Sequence, residues 1–189
     1  AQYNLGSLYE NGRGVAQSYE TAAALYKQAA QQGNAGSMNN LGIMYENGQG
    51  VEKSYERAKE YYEQAAHLGY ANAQYNLGIL YDNGRGVAQS YETAAELFEQ
   101  AVQQGHTSAM YNLGIMYANG QGVERDRIKA RELFTTAEAL GHKKATSALK
   151  QLEDHEREAA ALDPNVIVCS FCGLPETATR NFDKFKCPC

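Results

Sequence analysis

The amino-acid sequence predicts an all-α fold: a solenoid of four repeated helix pairs, followed by a capping helix and a small irregular tail. Three observations favour this fold. A motif returns with a constant period, each period contains two amphipathic helical patterns, and both features stop before a short segment that contains all the cysteines. We therefore divide the 189 residues into four repeats (1–142), a capping helix (143–163) and a tail (164–189).

The first observation is the spacing of one motif. The stretch YNLGSLYENGRGV begins at Tyr3, and three closely similar stretches follow at intervals of 36 residues. Its asparagine returns as Asn4, Asn40, Asn76 and Asn112, and its first glycine returns as Gly6, Gly42, Gly78 and Gly114. A fixed period of about 20 to 50 residues is typical of solenoids, in which each unit buries one face against its neighbours.

The second observation is a pair of helical patterns in every period. In the third copy, one apolar stripe contains Ala73, Leu77, Leu80 and Tyr81, and the next contains Ala94, Leu97, Phe98, Ala101 and Val102. Residues suited to an N-cap precede the second pattern of each copy, namely Ser18, Ser54, Ser90 and Asp126. Glycines suited to a left-handed C-cap follow it, namely Gly33, Gly69, Gly105 and Gly141. The chain therefore alternates between antiparallel helices.

A glycine lies inside the first helix of each pair, where it costs about 1 kcal/mol of helix propensity relative to alanine. Its recurrence predicts close contact with a neighbouring helix. In the last helical segment Lys150 takes its place, and the helix continues without a loop. We interpret that segment as a capping helix that ends near Asp163 and Pro164.

The glycine-rich loop NGRGV has two possible interpretations. A phosphate-binding loop needs a preceding buried strand and a Lys-Ser/Thr pair, and a helix precedes this loop instead. The structural alternative is that Gly12 and Gly14 adopt positive φ so that the chain reverses, with Val15 filling the joint. We favour the structural joint.

Together these features resemble the Sel-one-like repeat family, whose α-solenoids are related to tetratricopeptide repeats. The shared pattern is A-x-x-x-LG-x-x-Y-x-x-G-x-GV, with Ser37 in place of the alanine in the second copy, and it covers about residues 1–142. The resemblance implies a right-handed helix-pair solenoid. It also implies a scaffold or adaptor that binds other proteins or peptides.

The resemblance makes the motif asparagines candidates for partner binding. In peptide-binding tetratricopeptide repeats an asparagine at this place faces the concave groove, so Asn4, Asn40, Asn76 and Asn112 are candidates here. The lysines of the family's carboxylate clamp are replaced by Gly36, Asn72 and Ser108, so that clamp is not formed. The alternative is that the asparagines satisfy backbone groups between neighbouring repeats.

Other side chains on the first helices are also candidates. Tyr75, Tyr111 and Ile79 either pack between repeats or form an apolar groove for a partner. Glu10, Glu46 and Asp82 share one repeat position, and we interpret them as a solvated acidic face.

No arrangement of side chains indicates catalysis, and we predict that the protein is not an enzyme. His67, His106 and His142 lie near C-cap glycines, where a partial positive charge would complement a helix dipole.

The tail contains four cysteines in two close pairs, Cys169 with Cys172 and Cys187 with Cys189. Such pairs favour zinc binding by thiolates, and free thiols or disulfides are the alternatives. The tail also resembles the start of a MYND-type zinc finger. That resemblance implies interleaved ligation, with one pair on each of two zinc ions, whereas a single four-thiolate zinc site is the alternative.

Composition limits the other function classes. The net charge of −5 argues against a nucleic-acid partner, and no apolar run approaches the length of a membrane span. Since the cysteines are confined to the tail, we expect an intracellular setting, cytoplasmic or nuclear. The sequence thus predicts a non-catalytic protein-interaction scaffold with a zinc-binding module. The alternative is a regulatory or targeting part of a larger MYND-containing enzyme or transcriptional regulator.

Overall fold

The computed structural model describes residues 1–162, the last four of them by their backbone alone. Nine α-helices and no strand occur in this range. The first helices of the pairs are α1 (Gln2–Asn11), α3 (Ala35–Asn47), α5 (Ala71–Asn83) and α7 (Thr107–Asn119). The second helices are α2 (Tyr19–Ala30), α4 (Tyr55–His67), α6 (Tyr91–Gln103) and α8 (Arg127–Ala139), and α9 (Lys143–Leu162) follows them. The predicted helix pairs are confirmed.

The helices pack in chain order. Each first helix packs on the second helix of its own pair, and that second helix packs on the first helix of the next pair. The four cysteines and the rest of the predicted tail lie outside the described residues.

The predicted caps are present. The side chains of Ser18, Ser54 and Ser90 each accept a hydrogen bond from the backbone N–H three residues later, and Asp126 accepts two. The glycines beyond the second helices, Gly33, Gly69, Gly105 and Gly141, all have left-handed φ values between 77° and 87°. Each second helix therefore begins and ends at residues whose local chemistry favours that boundary.

The helix glycines make the expected close contact, and their partner is an aromatic ring of the same helix pair. A Cβ added to Gly78 would lie 2.6 Å from Cε1 of Phe98, well inside van der Waals contact. The equivalent rings are Tyr26, Tyr62 and Phe134, and all four rings are at most 2% exposed. Glycine is required here because the backbone of the first helix rests on the ring.

The loop glycines have a second role that the sequence did not predict. Gly12 and Gly14 have positive φ, as predicted for a chain reversal. In later repeats, however, the second loop glycine also abuts the start of the second helix of the preceding pair: Gly86 rests on Tyr55. Around Gly14 there is nothing within 4 Å of an added Cβ. These glycines therefore fix the stacking of repeats as well as the turn.

The last helix covers the fourth pair. Ala145, Ala148 and Leu152 of α9 are buried with Phe134 in one cluster, and Lys150 is exposed. Glu156 of α9 forms an ion pair with Arg131 of α8.

Candidate functional site

The motif asparagines lie on the first helices and, from the second repeat on, they interact with the preceding repeat. Asn4 is exposed, and Asn40, Asn76 and Asn112 are half-buried. The Asn76 amide donates a hydrogen bond of 2.9 Å to the Asn39 side chain. The Asn40 side chain lies near the Tyr26 hydroxyl, and the Asn112 side chain lies near the Tyr75 hydroxyl. Their contacts are with side chains rather than backbone groups, and contact with a partner stays a prediction.

The candidate tyrosines are partly used in packing. Tyr75 stacks on His106 with ring centroids 4.5 Å apart, and it lies against Phe98. Tyr111 repeats the arrangement with His142 at 4.6 Å and with Phe134. These rings lie at the joints between repeats and each remains half-buried.

The remaining candidate, Ile79, is half-buried and packs against the core cluster around Phe98. Its contact with a partner also stays a prediction.

The interpretation of His106 as a residue that complements a helix C-terminus is wrong. Its Nδ1 accepts a hydrogen bond of 3.1 Å from the Ala109 N–H, so His106 is the N-cap of α7. Burial lowers the pKa of this imidazole. The neutral ring is the form that caps the helix, because protonation of Nδ1 would remove the acceptor.

The acidic positions differ from the solvated face that the sequence predicted. The Tyr26 hydroxyl donates a hydrogen bond of 2.6 Å to Glu10, and the Tyr62 hydroxyl donates one of 3.0 Å to Glu46. Burial, reinforced by these carboxylates, holds the pKa of both phenols well above the usual range. The first two acidic residues are therefore tied to the second helix of their own pair.

The third and fourth repeats lack this pairing. Phe98 takes the place of the tyrosine opposite Asp82, and Phe134 lies in the repeat where Ala118 replaces the acid. The loss of the pairing was visible in the sequence. The first two repeats have both a glutamate and a tyrosine at these positions, whereas the last two have phenylalanine in place of the tyrosine. Burial raises the pKa of the Asp82 carboxyl.

A cavity of about 390 Å³ lies between α5 and α7, beside Asp82. Asp82 and Phe98 line it from the third repeat, and Tyr111, Asn112 and Ile115 line it from the fourth. The cavity thus brings two of the predicted site residues together with a carboxylate for which the sequence predicted a solvated face. We call it the α5–α7 cavity.

A second cavity, of about 340 Å³, lies between the second helices α6 and α8. Met110, Leu113 and Tyr117 of α7 contribute to its lining together with Val102 and Leu133. It is mainly apolar, with Lys129 and Glu132 as its charged residues. None of the predicted site residues contributes to it.

No group of three or more metal-ligating side chains occurs within residues 1–162. The predicted zinc ligands Cys169, Cys172, Cys187 and Cys189 lie beyond this range, so zinc binding stays a prediction. Among the described helices, none combines the length and the apolar character that crossing a membrane requires.

Comparison with known families identifies the repeats. The Sel1 repeat model matches residues 1–34, 35–70, 71–106 and 107–142, which together form three quarters of the chain. The protein is thus a helix-pair solenoid, and the chain belongs to the Sel1 repeat family.

Solved structures support the same fold. The c5321 protein of uropathogenic Escherichia coli, described as a protective antigen with an SLR fold, is 32% identical with a TM-score of 0.78. A Sel1 repeat protein from Oxalobacter formigenes is also 32% identical, with a TM-score of 0.76. Cysteine-rich protein B of Helicobacter pylori is 25% identical with a TM-score of 0.52, over 66% of this chain and 94% of its own.

In the first two of these proteins the matched region is only a part of the chain. The alignment to the Escherichia coli protein covers 82% of this chain but only 33% of that protein, and the alignment to the Oxalobacter protein covers 84% and 62%. No curated protein matches the sequence.

Proposed function

We propose that this protein is a non-catalytic interaction scaffold that binds extended segments of other proteins along its first helices. The observation that supports this proposal is the α5–α7 cavity, where side chains of two neighbouring repeats converge. Repeat solenoids present extended surfaces of this kind to their partners. The polar groups at the cavity, the Asn112 amide and the Asp82 carboxylate, suit a polypeptide, whose backbone offers both donors and acceptors.

A selection from a library of unstructured peptides tests the proposal and does not require an identified partner. Selected peptides should lose at least about tenfold in affinity when Asn112→Ala and Ile115→Ser are combined, because both residues line the cavity. The matched control is the pair Glu96→Ala and Gln103→Ala, which changes exposed positions on the second helix α6.

Melting temperatures of all variants identify any loss of folding. The proposal would be contradicted if the selected peptides did not depend on Asn112 and Ile115. Dependence on the α6 pair, or on the cavity between α6 and α8, would be such a result.

We further propose that the cysteine pairs of the tail bind zinc in an intracellular setting. The support is the spacing of the thiols, two residues between Cys169 and Cys172 and one between Cys187 and Cys189. Native mass spectrometry of the full chain, compared with a variant in which all four cysteines are serine, counts the zinc ions directly. Zinc bound by the first protein and not by the second is expected, and equal zinc content in both would contradict the proposal.

A further inference from the structure

The joint between the second and third repeats contains an arginine that bridges them. The Arg85 guanidinium lies 3.8 Å from the Glu46 carboxylate and 5.8 Å from the centroid of the Tyr55 ring. Arg85 belongs to the loop of the third repeat, whereas Glu46 and Tyr55 belong to the second. A carboxylate and an aromatic face from one repeat therefore hold a cation from the next.

The joint between the third and fourth repeats also has a carboxylate and a tyrosine ring at these positions but lacks the arginine. The residues 36 positions later are Asp82, Tyr91 and Gln121, and all three line the α5–α7 cavity. Gln121 is neutral, and its side-chain oxygen accepts a hydrogen bond from Asn119. In the described part of the chain, no cation takes the place that Arg85 holds one repeat earlier.

Two further differences leave Asp82 open to a ligand. Glu46 also accepts a hydrogen bond from the Tyr62 hydroxyl, whereas the ring opposite Asp82 is Phe98, which carries no hydroxyl. Aspartate is also one methylene shorter than glutamate, so a cationic side chain must reach further to pair with it. The cavity thus offers an acceptor and a ring whose cationic partner is absent from residues 1–162.

We infer that the α5–α7 cavity binds an arginine side chain of a partner polypeptide, with its guanidinium between Asp82 and Tyr91. The inference deepens the proposed scaffold function and rests on it for the polypeptide nature of the partner. We expect the ligand to be cationic because Arg85 occupies the corresponding place one repeat earlier, near the carboxylate of Glu46 and the ring of Tyr55. A guanidinium also donates to a carboxylate and stacks on an aromatic face at the same time.

The test uses two peptides that differ only in charge. The full chain is titrated with acetyl-Gly-Gly-Arg-Gly-Gly-amide and with the same peptide carrying citrulline, and backbone amide NMR shifts are followed. Because the contact is partly exposed, we expect a Kd of the order of 1 mM for the arginine peptide, and about tenfold weaker binding for citrulline. The shifts should concentrate at Asp82, Tyr91 and Gln121.

Four variants distinguish this site from general attraction to an acidic protein. Asp82→Asn should reduce arginine binding about tenfold, whereas Glu10→Gln, which removes a carboxylate outside the cavity, should leave it unchanged. Gln121→Arg should compete with the peptide by supplying an internal guanidinium, as Arg85 does one repeat earlier. Its matched control, Gln49→Arg, places the same charge at the joint between the first and second repeats and should not compete.

Equal binding of the citrulline peptide, or equal effects of the two glutamine variants, would overturn the inference. That outcome is separable from failure of the scaffold proposal. If selected peptides still require Asn112 and Ile115 while arginine binding ignores Asp82, the scaffold proposal stands and this inference fails. If arginine binds as described and the selected peptides do not require Asn112 and Ile115, the arginine site stands and the scaffold proposal fails.

Discussion

Gly86 of the third repeat rests directly on Tyr55 of the second. A Cβ added to Gly86 would lie 2.6 Å from the Tyr55 Cβ and 2.7 Å from its carbonyl carbon, so no side chain fits between the two repeats. The contact places a loop of one repeat on the first turn of the second helix of the repeat before it. It explains why the second glycine of the loop recurs, beyond its role in chain reversal.

Gly86→Ala should therefore destabilise the protein more than Gly14→Ala. Both positions have positive φ, 68° and 76°, so both variants incur the left-handed penalty of about 1–2 kcal/mol. Only Gly86 meets the backbone and Cβ of a neighbouring repeat, which should add about 1–3 kcal/mol of overpacking. Urea unfolding followed by circular dichroism measures the difference, and equal losses of unfolding free energy would contradict the stacking role.

Gly78→Ala should also destabilise, although alanine favours a helix over glycine by about 1 kcal/mol. The added methyl group would meet the Phe98 ring at 2.6 Å, and that ring is only 1% exposed. We expect a net loss of about 1–2 kcal/mol. A second substitution, Phe98→Leu, should cost less in the Gly78→Ala background than in the natural protein. A raised melting temperature for Gly78→Ala alone would show that the helix–ring contact is not tight.

The sequence predicted those parts of the fold that depend on local chemistry. Caps such as Ser90 and the helix glycine at 78 follow from their position in the repeat, and both are as expected. The contact of Gly86 with Tyr55 joins residues of different repeats, and a periodic sequence does not show which repeat a loop touches. His106 was misassigned for a related reason, because the short joint between two helices placed it at the start of α7 rather than at the end of α6.

The candidate site was predicted in part. The periodicity placed Tyr111 and Asn112 on a first helix, and both line the α5–α7 cavity. Asp82 lines that cavity together with Phe98, whereas in the second repeat the corresponding residues Glu46 and Tyr62 are hydrogen-bonded to each other. This difference concerns how two helices pack, and an alignment of the repeats shows it only once the facing residues of the two helices are known.

Tyr62→Phe should lower the stability at neutral pH, and it should also make the loss of stability at alkaline pH less steep. The variant loses the 3.0 Å hydrogen bond to Glu46, worth about 1 kcal/mol. Burial, followed by the Glu46 charge, raises the pKa of Tyr62 in the folded protein, whereas the unfolded phenol ionises near pH 10. The unfolded state therefore releases a proton that the folded state keeps, and the stability contributed by Tyr62 is lost progressively above about pH 10.

The slope of unfolding free energy against pH should become shallower by about 1 kcal/mol per pH unit in Tyr62→Phe between pH 10 and 11. Urea titrations of the natural protein and the variant at pH 8 to 11 measure it. Other tyrosines contribute equally to both proteins and cancel in the comparison. Parallel curves would show that Tyr62 ionises alike in the folded and unfolded chains.

His106→Asn should make stability less sensitive to mild acid. Burial lowers the pKa of His106 in the folded protein, so below about pH 6.5 the unfolded chain binds a proton more readily than the folded one. The stability contributed by the neutral ring is present above that pH and is lost as pH falls toward the lowered pKa. Asparagine keeps the cap without titrating, since Asn34 already caps α3 by accepting from the Ser37 N–H at 2.8 Å.

At pH 7 the same variant should be less stable by about 0.5–1.5 kcal/mol, because it loses the ring stacked on Tyr75 at 4.5 Å. As pH falls, the natural protein loses the stability contributed by His106 and the variant does not. The stability curves of the two proteins should therefore converge between pH 7 and 5. His155→Asn, at an exposed position on α9, is the control and removes a histidine that caps no helix. Curves that stay parallel for His106→Asn would mean that His106 binds its proton equally well in the folded and unfolded chains. That outcome would contradict the role of Nδ1 as the acceptor that caps α7.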